Sequence, residues 1–295
     1  MTGVQVYGDS DDNLFQRIWV SGMIRDHEGD DLCGARGREG FLIEGGPACE
    51  GGPGAFADGN RIVDVQTFHN SRAITVKLAR TTRVSNSLVH GVPSVQWDGG
   101  AFATAIWVKM SDDTSILDNY DVGNRGMTDA IRIQGRTAAD CATENPDSDR
   151  TILRGNTIDM VENSGYCLRA YRGPEDPGNA TAIDARCNTI RGGWQGVRLE
   201  TVDPLTSFTL NDIVADTLGL VNLAPGLALA EENWWGDASG PGGDGPGTGT
   251  SVSGNVDFTP WAATSAFDDA DQDGYSECAG DADDGGIAAS PNACP

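Results

Sequence analysis

The chain has 295 residues, 44 of them acidic against 20 Lys and Arg, and a formal charge of −24. That balance argues against a general nucleic-acid binder, which needs surplus cations to neutralise phosphates, and no run approaches the ~18 apolar residues of a membrane span. Gly is at about twice its usual ~7% share, yet 38% hydrophobic residues exclude plain disorder, so the chain reads as turn-rich and folded.

Met1-Thr2-Gly3-Val4-Gln5 has neither the basic start nor the apolar stretch of a signal peptide, which implies a removed leader or a fragment of a longer chain. VQVYG (4–8) opens abruptly, without a capping segment. Two kinds of segment then alternate along the chain. One is a short apolar stretch ending near Asn: TRVSNSLV (82–89), SILDNYDV (115–122), TILRGNTI (151–158), IDARCNTI (183–190) and FTLNDIVA (208–215). Asn86, Asn119, Asn156, Asn188 and Asn211 thus recur every 23–37 residues. The other is a small residue followed by alternating apolar positions: GFLIEG (40–45), AITVKL (73–78), AIWVKM (105–110), AIRIQG (130–135), CLRAYR (167–172), GVRLET (196–201) and GLALAE (226–231).

Alternation with period two predicts strands, and the recurring unit predicts that they stack rung upon rung. Gly, Asn and β-branched residues interrupt every segment before two helical turns can form. The expected fold is an all-β solenoid of parallel sheets; a leucine-rich repeat does not fit, because regularly spaced Leu before Asn does not recur. The recurring Asn is read as structural. It tolerates a left-handed turn, and its amide can bond its equivalent one coil away.

Near the end, NWWGDASGPGG (233–243) and VSGNVDFTPWA (252–262) resemble the closing coil of right-handed parallel β-helix repeat proteins related in fold to pectate lyases. The resemblance spans about residues 15–262 and implies a single-stranded right-handed parallel β-helix of about seven coils. It implies secretion or cell-surface attachment too, but no one activity, because that superfamily holds lyases, glycosidases, epimerases and inert surface modules. Trp234, Trp235, Phe258 and Trp261 are expected to plug the open end of the apolar stack.

Alternation also assigns an outward face to the second kind of segment. One outward column reads Leu42, Thr75, Trp107, Arg132, Arg169, Arg198, Ala228; the other reads Glu44, Lys77, Lys109, Gln134, Tyr171, Glu200, Ala230. Both lysines of the protein fall here, beside three arginines. Such a stripe suits a linear acidic polysaccharide: cations hold carboxylates or sulfates, and rings stack on sugar faces. Lys77, Trp107, Tyr171 and Arg198 are the expected substrate-binding residues. The alternative is that long basic side chains merely shield the sheet with their stems.

Acidic loops beside the face suggest lyase chemistry: Asp112 and Asp113, residues 136–150 with Asp140, Glu144, Asp147 and Asp149, and residues 172–180 with Glu175 and Asp176. Ca²⁺ held there would bridge to substrate carboxylates, and Arg132, Arg169 or Lys109 would remove the proton α to the carboxylate. Against this, the Gly-His-Gly of polygalacturonase-like hydrolases and the Asp-Pro-His of uronate epimerases are both missing, and no His/Met/Cys cluster suggests copper.

Seven cysteines, at 33, 49, 141, 167, 187, 278 and 294, include no CxxC pair. Cys33/Cys49, Cys167/Cys187 and Cys278/Cys294 are each separated by short loops, which suits an extracytoplasmic protein with two or three bridges. Stacked buried thiols are the alternative, and connectivity stays open. After Arg198 there are 17 acids and no base. Residues 263–295 form a separate polar extension in which Asp269, Asp271 and Asp273, followed by Gly274, have the spacing that wraps oxygens around Ca²⁺. Tyr275 would add its carbonyl, with Glu277 and Asp281 completing the shell; position twelve is Gly280, so the loop looks more like the DxDxDGY loops of secreted proteins than an EF-hand. The expected organisation is a solenoid over 1–262 and this extension over 263–295. The expected function is extracellular recognition of an acidic polysaccharide or cell-surface glycan, with lyase activity as a further option. The competing reading is a non-catalytic adhesive or structural module stabilised by calcium.

Overall fold

The computed structural model describes residues 3–21, 39–46, 56–70, 72–91, 103–123, 128–137, 146–160, 165–173, 175–268, 276 and 278. Its elements are all strands, and every strand pairing is parallel. Three long sheets of ten, nine and seven strands run side by side, each strand bonded to its counterpart in the next rung. No helix is long and apolar enough to cross a membrane among the described residues. This is a parallel β-solenoid-type architecture, with its core between the three sheets.

The core follows from register. In the ten-stranded sheet Phe41, Ile74, Ile106, Ile131, Leu168, Val197 and Leu220 stand opposite one another. The nine-stranded sheet contributes Ile62, Val84, Ile116, Leu153, Ala185 and Phe208, and the seven-stranded sheet Ile158, Ile190 and Ile213. All are buried. A fully buried Ile or Leu contributes about 1.5–3 kcal/mol, so each rung is fastened mainly by these inward columns.

The apolar stretches with Asn are two strands rather than one, joined at a corner. Ile152–Arg154 belongs to the nine-stranded sheet and Thr157–Met160 to the seven-stranded sheet, with Gly155 and Asn156 between them. The left-handed residue is the one before the ladder position: Asp118, Gly155, Cys187, Leu210 and Glu232 have φ of 54°, 65°, 54°, 53° and 59°. The Asn that follows is buried and chained. Asn119 Nδ2 donates to Asn156 Oδ1 at 3.0 Å, Asn156 to Asn188 at 2.9 Å, Asn188 to Asn211 at 2.9 Å and Asn211 to Asn233 at 3.0 Å. Each Oδ1 also accepts the backbone N–H of the preceding ladder Asn. Asn86 does not belong to this ladder. It is exposed at φ 51°, as the corner residue itself, and Ser87 takes the buried place, its N–H donating to Asn119 Oδ1 at 3.1 Å.

GLALAE is also not where alternation put it. Ala228–Leu229 pairs with the nine-stranded sheet, and Ala228 and Ala230 are buried while Leu227 is exposed, the reverse of the expected facing. The next rung of the ten-stranded sheet is Leu218–Asn222, so Val221, not Ala228, follows Arg198.

At the C-terminal end Trp235 is fully buried, and Phe258 and Trp261 pack against the core from partly buried positions. Gly219 admits the Trp235 ring, since a Cβ there would lie 3.2 Å from Cε3. Beyond it, Ser265 Oγ donates to Asp212 Oδ2 at 2.6 Å and the Ala266 N–H to Asp212 Oδ1 at 3.3 Å. Burial pushes the Asp212 carboxyl above its ordinary value, partly offset by these two hydrogen bonds. Cys278 is joined by a disulfide to Cys187, 91 residues away, with Cα atoms 5.4 Å apart. The expected short-loop pairs Cys167/Cys187 and Cys278/Cys294 are therefore not formed. Cys167 is a buried free thiol packed inside the solenoid, and Cys33, Cys49, Cys141 and Cys294 lie outside the described residues.

Candidate functional site

The seven residues expected on the outer face do lie together on the ten-stranded sheet. Trp107, Arg132, Arg169 and Arg198 occupy one register row, Lys77 and Lys109 are direct neighbours in the next, and Tyr171 stands opposite Gln134. A third row had escaped the alternation rule: Arg72, Thr104, Asp129, Tyr166 and Gln195. The reason is local. Ala130 and Ile131 are both buried, as are Ala105 and Ile106 and Ala73 and Ile74, so alternation slips at the small residue that opens each strand. The residue before the slip then shares the outer face with the arginines. A small residue ahead of every alternating run was the available signal.

This third row changes the electrostatics. Asp129 is fully buried, and Arg132 donates to its Oδ2 from Nε at 2.7 Å and from Nη2 as well. Arg169 Nη1 lies 3.9 Å from Oδ1 of the same carboxylate. Burial pushes Asp129 above its ordinary pKa, against the pull of the two guanidiniums, and burial likewise lowers that of Arg132. Glu200 accepts from Arg169 Nη2 at 2.6 Å and from Arg198 Nε at 2.7 Å. Burial alone would raise the Glu200 carboxyl, but the bonds from Arg198 and Arg169 win and hold it below the usual range. At the other end, Lys77 Nζ donates to Glu44 Oε1 at 2.6 Å.

Aromatic rings fill the spaces between the charges. The Arg72 guanidinium sits 4.4 Å from the Trp107 ring centroid and Lys109 Nζ 5.2 Å from it, while Trp107 Nε1 donates to Gln134 Oε1 at 3.2 Å. Arg169 lies 4.4 Å from the Tyr171 ring and 4.8 Å from Tyr166, and Arg132 lies 5.0 Å from Tyr171. Contacts of this kind are worth ~0.5–2 kcal/mol, more when water is excluded. The face is thus a preorganised lattice of guanidinium, ring and carboxylate, which fixes the side chains that a ligand would meet.

The expected exposed stripe needs one correction. Arg132 is only 3% exposed and Lys109 only 7%, because the slip row and the aromatic rings enclose them. Four of the carboxylates expected beside the face are also occupied. Asp113 pairs with Arg150 at 2.6 Å, Asp147 accepts the Asn179 N–H at 2.7 Å, Asp149 accepts from Thr181 Oγ1 at 2.9 Å, and Asp176 accepts the Gly173 N–H at 2.9 Å. Among the described residues no group of three or more His, Cys, Asp or Glu is placed to hold a metal ion. The tail ligands Asp269, Asp271, Asp273, Tyr275, Glu277 and Asp281 lie outside the described residues, as do Asp140 and Glu144. No protein-family profile, curated protein or solved structure matches this chain.

Proposed function

We propose that the protein binds an acidic polysaccharide or cell-surface glycan along the outer face of the ten-stranded sheet, and holds it without cleaving it. The observation that carries this reading is the lattice itself. Arg72, Lys77, Lys109, Arg132, Arg169 and Arg198 are gathered on one face among only Glu44, Asp129 and Glu200 of the described side chains, in a chain of −24. Three partly exposed rings, of Trp107, Tyr166 and Tyr171, stand among these cations and supply the aromatic component that sugar recognition uses. Binding is favoured over β-elimination because Arg132, the central candidate base, is buried and commits Nε and Nη2 to Asp129. Retardation in gels containing polygalacturonate, with a neutral glucan as control, tests the reading. Retardation by polygalacturonate without new absorbance from unsaturated products is expected; equal mobility in every gel refutes binding, and product absorbance refutes the non-catalytic part.

The same proposal takes the fold as a single-stranded right-handed β-helix of about seven coils related to the pectate-lyase superfamily, set outside the cell. It takes the 269–281 segment as a Ca²⁺ loop, supported by the Asp spacing and by the anchoring of the chain just before it, where Ser265 meets Asp212, and within it, where Cys278 is bonded to Cys187. Calcium titration followed by melting tests the metal: a rise in Tm is expected, and an unchanged Tm removes it. A second reading, a purely structural or adhesive surface module, is favoured by one observation, that Glu44, Asp129 and Glu200 already pair with Lys77, Arg132, Arg169 and Arg198.

A further inference from the structure

Side-chain exposure rises along the arginine row, from 3% at Arg132 to 12% at Arg169 and 20% at Arg198. The row then ends, because the next rung offers Val221. Arg198 is also the least committed of the three to carboxylates. Its Nε donates to Glu200 at 2.7 Å, its Nη1 to Gln195 Oε1 at 3.3 Å, and its guanidinium lies 5.2 Å from the Tyr166 ring. Nη2 has no hydrogen bond to any described residue. Arg132 and Arg169, by contrast, each spend both Nε and Nη2 on a carboxylate.

The same Tyr166 ring that Arg198 touches is also met by a tryptophan that belongs to none of the columns. Trp194 lies in the turn between the strands Thr189–Gly192 and Gln195–Leu199 and is 42% exposed. Its ring centroid is 5.9 Å from that of Tyr166, at an interplanar angle of 51°. The turn is built to put it there. Gly192 and Gly193 have φ of 66° and 68°, and a Cβ on Gly192 would lie 2.0 Å from the Met160 carbonyl oxygen. Only glycine serves there, so the chain turns sharply and delivers Trp194 outside the core, one residue before the strand that carries Arg198.

We propose that Trp194 and Arg198 form the anchoring subsite of the glycan face. A pyranose ring stacks on the exposed indole, and its carboxylate or sulfate ester accepts from Arg198 Nη2. Tyr166 links both partners, its ring centroid 5.9 Å from that of the indole and 5.2 Å from the guanidinium. The ligand class is a sugar with an anionic substituent, and neutral sugars lack the group that Nη2 would satisfy. This inference rests on the outer face being a glycan-binding surface.

The test is calorimetric titration of the whole chain with three probes: oligogalacturonate, a sulfated galactan oligosaccharide and a neutral galactan oligosaccharide. Wild type is compared with Trp194→Ala, Trp194→Phe and Arg198→Gln. Trp194→Ala is expected to raise the Kd for the acidic probe about tenfold, the equivalent of one good stacking contact, while Trp194→Phe retains most of the affinity. Arg198→Gln should weaken the acidic probes about tenfold and leave the neutral one unchanged. The acidic probe that wild type prefers identifies the anionic group as uronate or sulfate. Should Trp194→Ala fail to fold by circular dichroism, Trp194→Phe and Arg198→Gln decide. Wild-type binding that all folded variants share unchanged overturns the subsite and leaves the face reading standing. No wild-type binding to either acidic probe overturns both.

Discussion

Asn156→Ala probes the corner ladder most directly. Asn156 Oδ1 accepts from Asn119 N at 3.1 Å and from Asn119 Nδ2 at 3.0 Å; its Nδ2 donates to Ile116 O at 2.8 Å and to Asn188 Oδ1 at 2.9 Å. Truncation to Ala does not orphan all four partners. Asn119 Nδ2 keeps the Val84 carbonyl at 3.0 Å, and Asn188 Oδ1 keeps the Asn156 backbone N–H at 3.0 Å. Asn119 N loses its acceptor and Ile116 O loses a donor, in a buried place. Two such losses at ~1–3 kcal/mol each give about 2–6 kcal/mol, and a water entering the vacated polar space would bring the loss to the lower half, about 2–4 kcal/mol. Asn86→Ala is the matched control. Asn86 is exposed and outside the chain of amides, so only its left-handed backbone is affected, at about 1–2 kcal/mol. Urea unfolding followed by both circular dichroism and tryptophan fluorescence measures the two, since long repeat arrays can lose two-state behaviour. If Asn156→Ala costs no more than Asn86→Ala, the ladder is not what holds that corner.

Peptide mapping without reduction should recover Cys187 linked to Cys278, and Cys187→Ser with Cys278→Ser should lower stability by about 2–5 kcal/mol; recovery of a Cys167–Cys187 peptide would contradict the connectivity. Cys167 should resist alkylation in the native protein, because burial pushes its thiol far above the usual value, and rapid modification in native buffer would contradict that burial. Glu200→Gln should remove stability that wild type has above the ordinary glutamate range of ~4.3. That wild-type advantage is lost as pH falls through the depressed folded-state pKa, because an acid held low favours the folded state only while ionised; a difference that grows toward acid pH would reverse the assignment. Trp235→Ala should cost about 3–5 kcal/mol, as loss of a large buried ring does, and a change within experimental error would show that the end is closed by other groups.

The parts of this fold that sequence reveals are those set by one strand at a time. Six of the seven alternating runs, from GFLIEG to GVRLET, fall in the ten-stranded sheet. GLALAE misled because alternation says that a strand is half-buried, not which of three sheets it joins. The left-handed corner was legible as a type and was misplaced by one residue, because Asn suits both the turn and the buried amide chain. At Cys187 and Leu210 the turn residue carries no turn signal at all; neighbouring rungs impose the conformation. The row of Arg, Trp and Lys was readable from alternation, whereas Asp129 and Tyr166 were not, because the slip at Ala130 and Cys167 depends on how each strand bends into its neighbour. The Cys187–Cys278 bridge joins positions 91 residues apart, and no local pattern could indicate it.

That bridge also determines where a mechanical load enters the molecule. Tension applied to the chain beyond Cys278 would reach Cys187 through the sulfur atoms before it reached the backbone between them. The closing rungs, the buried Trp235 and the Asp212 contacts all lie on the slack side of the crosslink. A stacked array is weakest at its last rung, where peeling breaks one pairing at a time. Here the pull is delivered several rungs inward, where the sheets would have to shear many pairings at once.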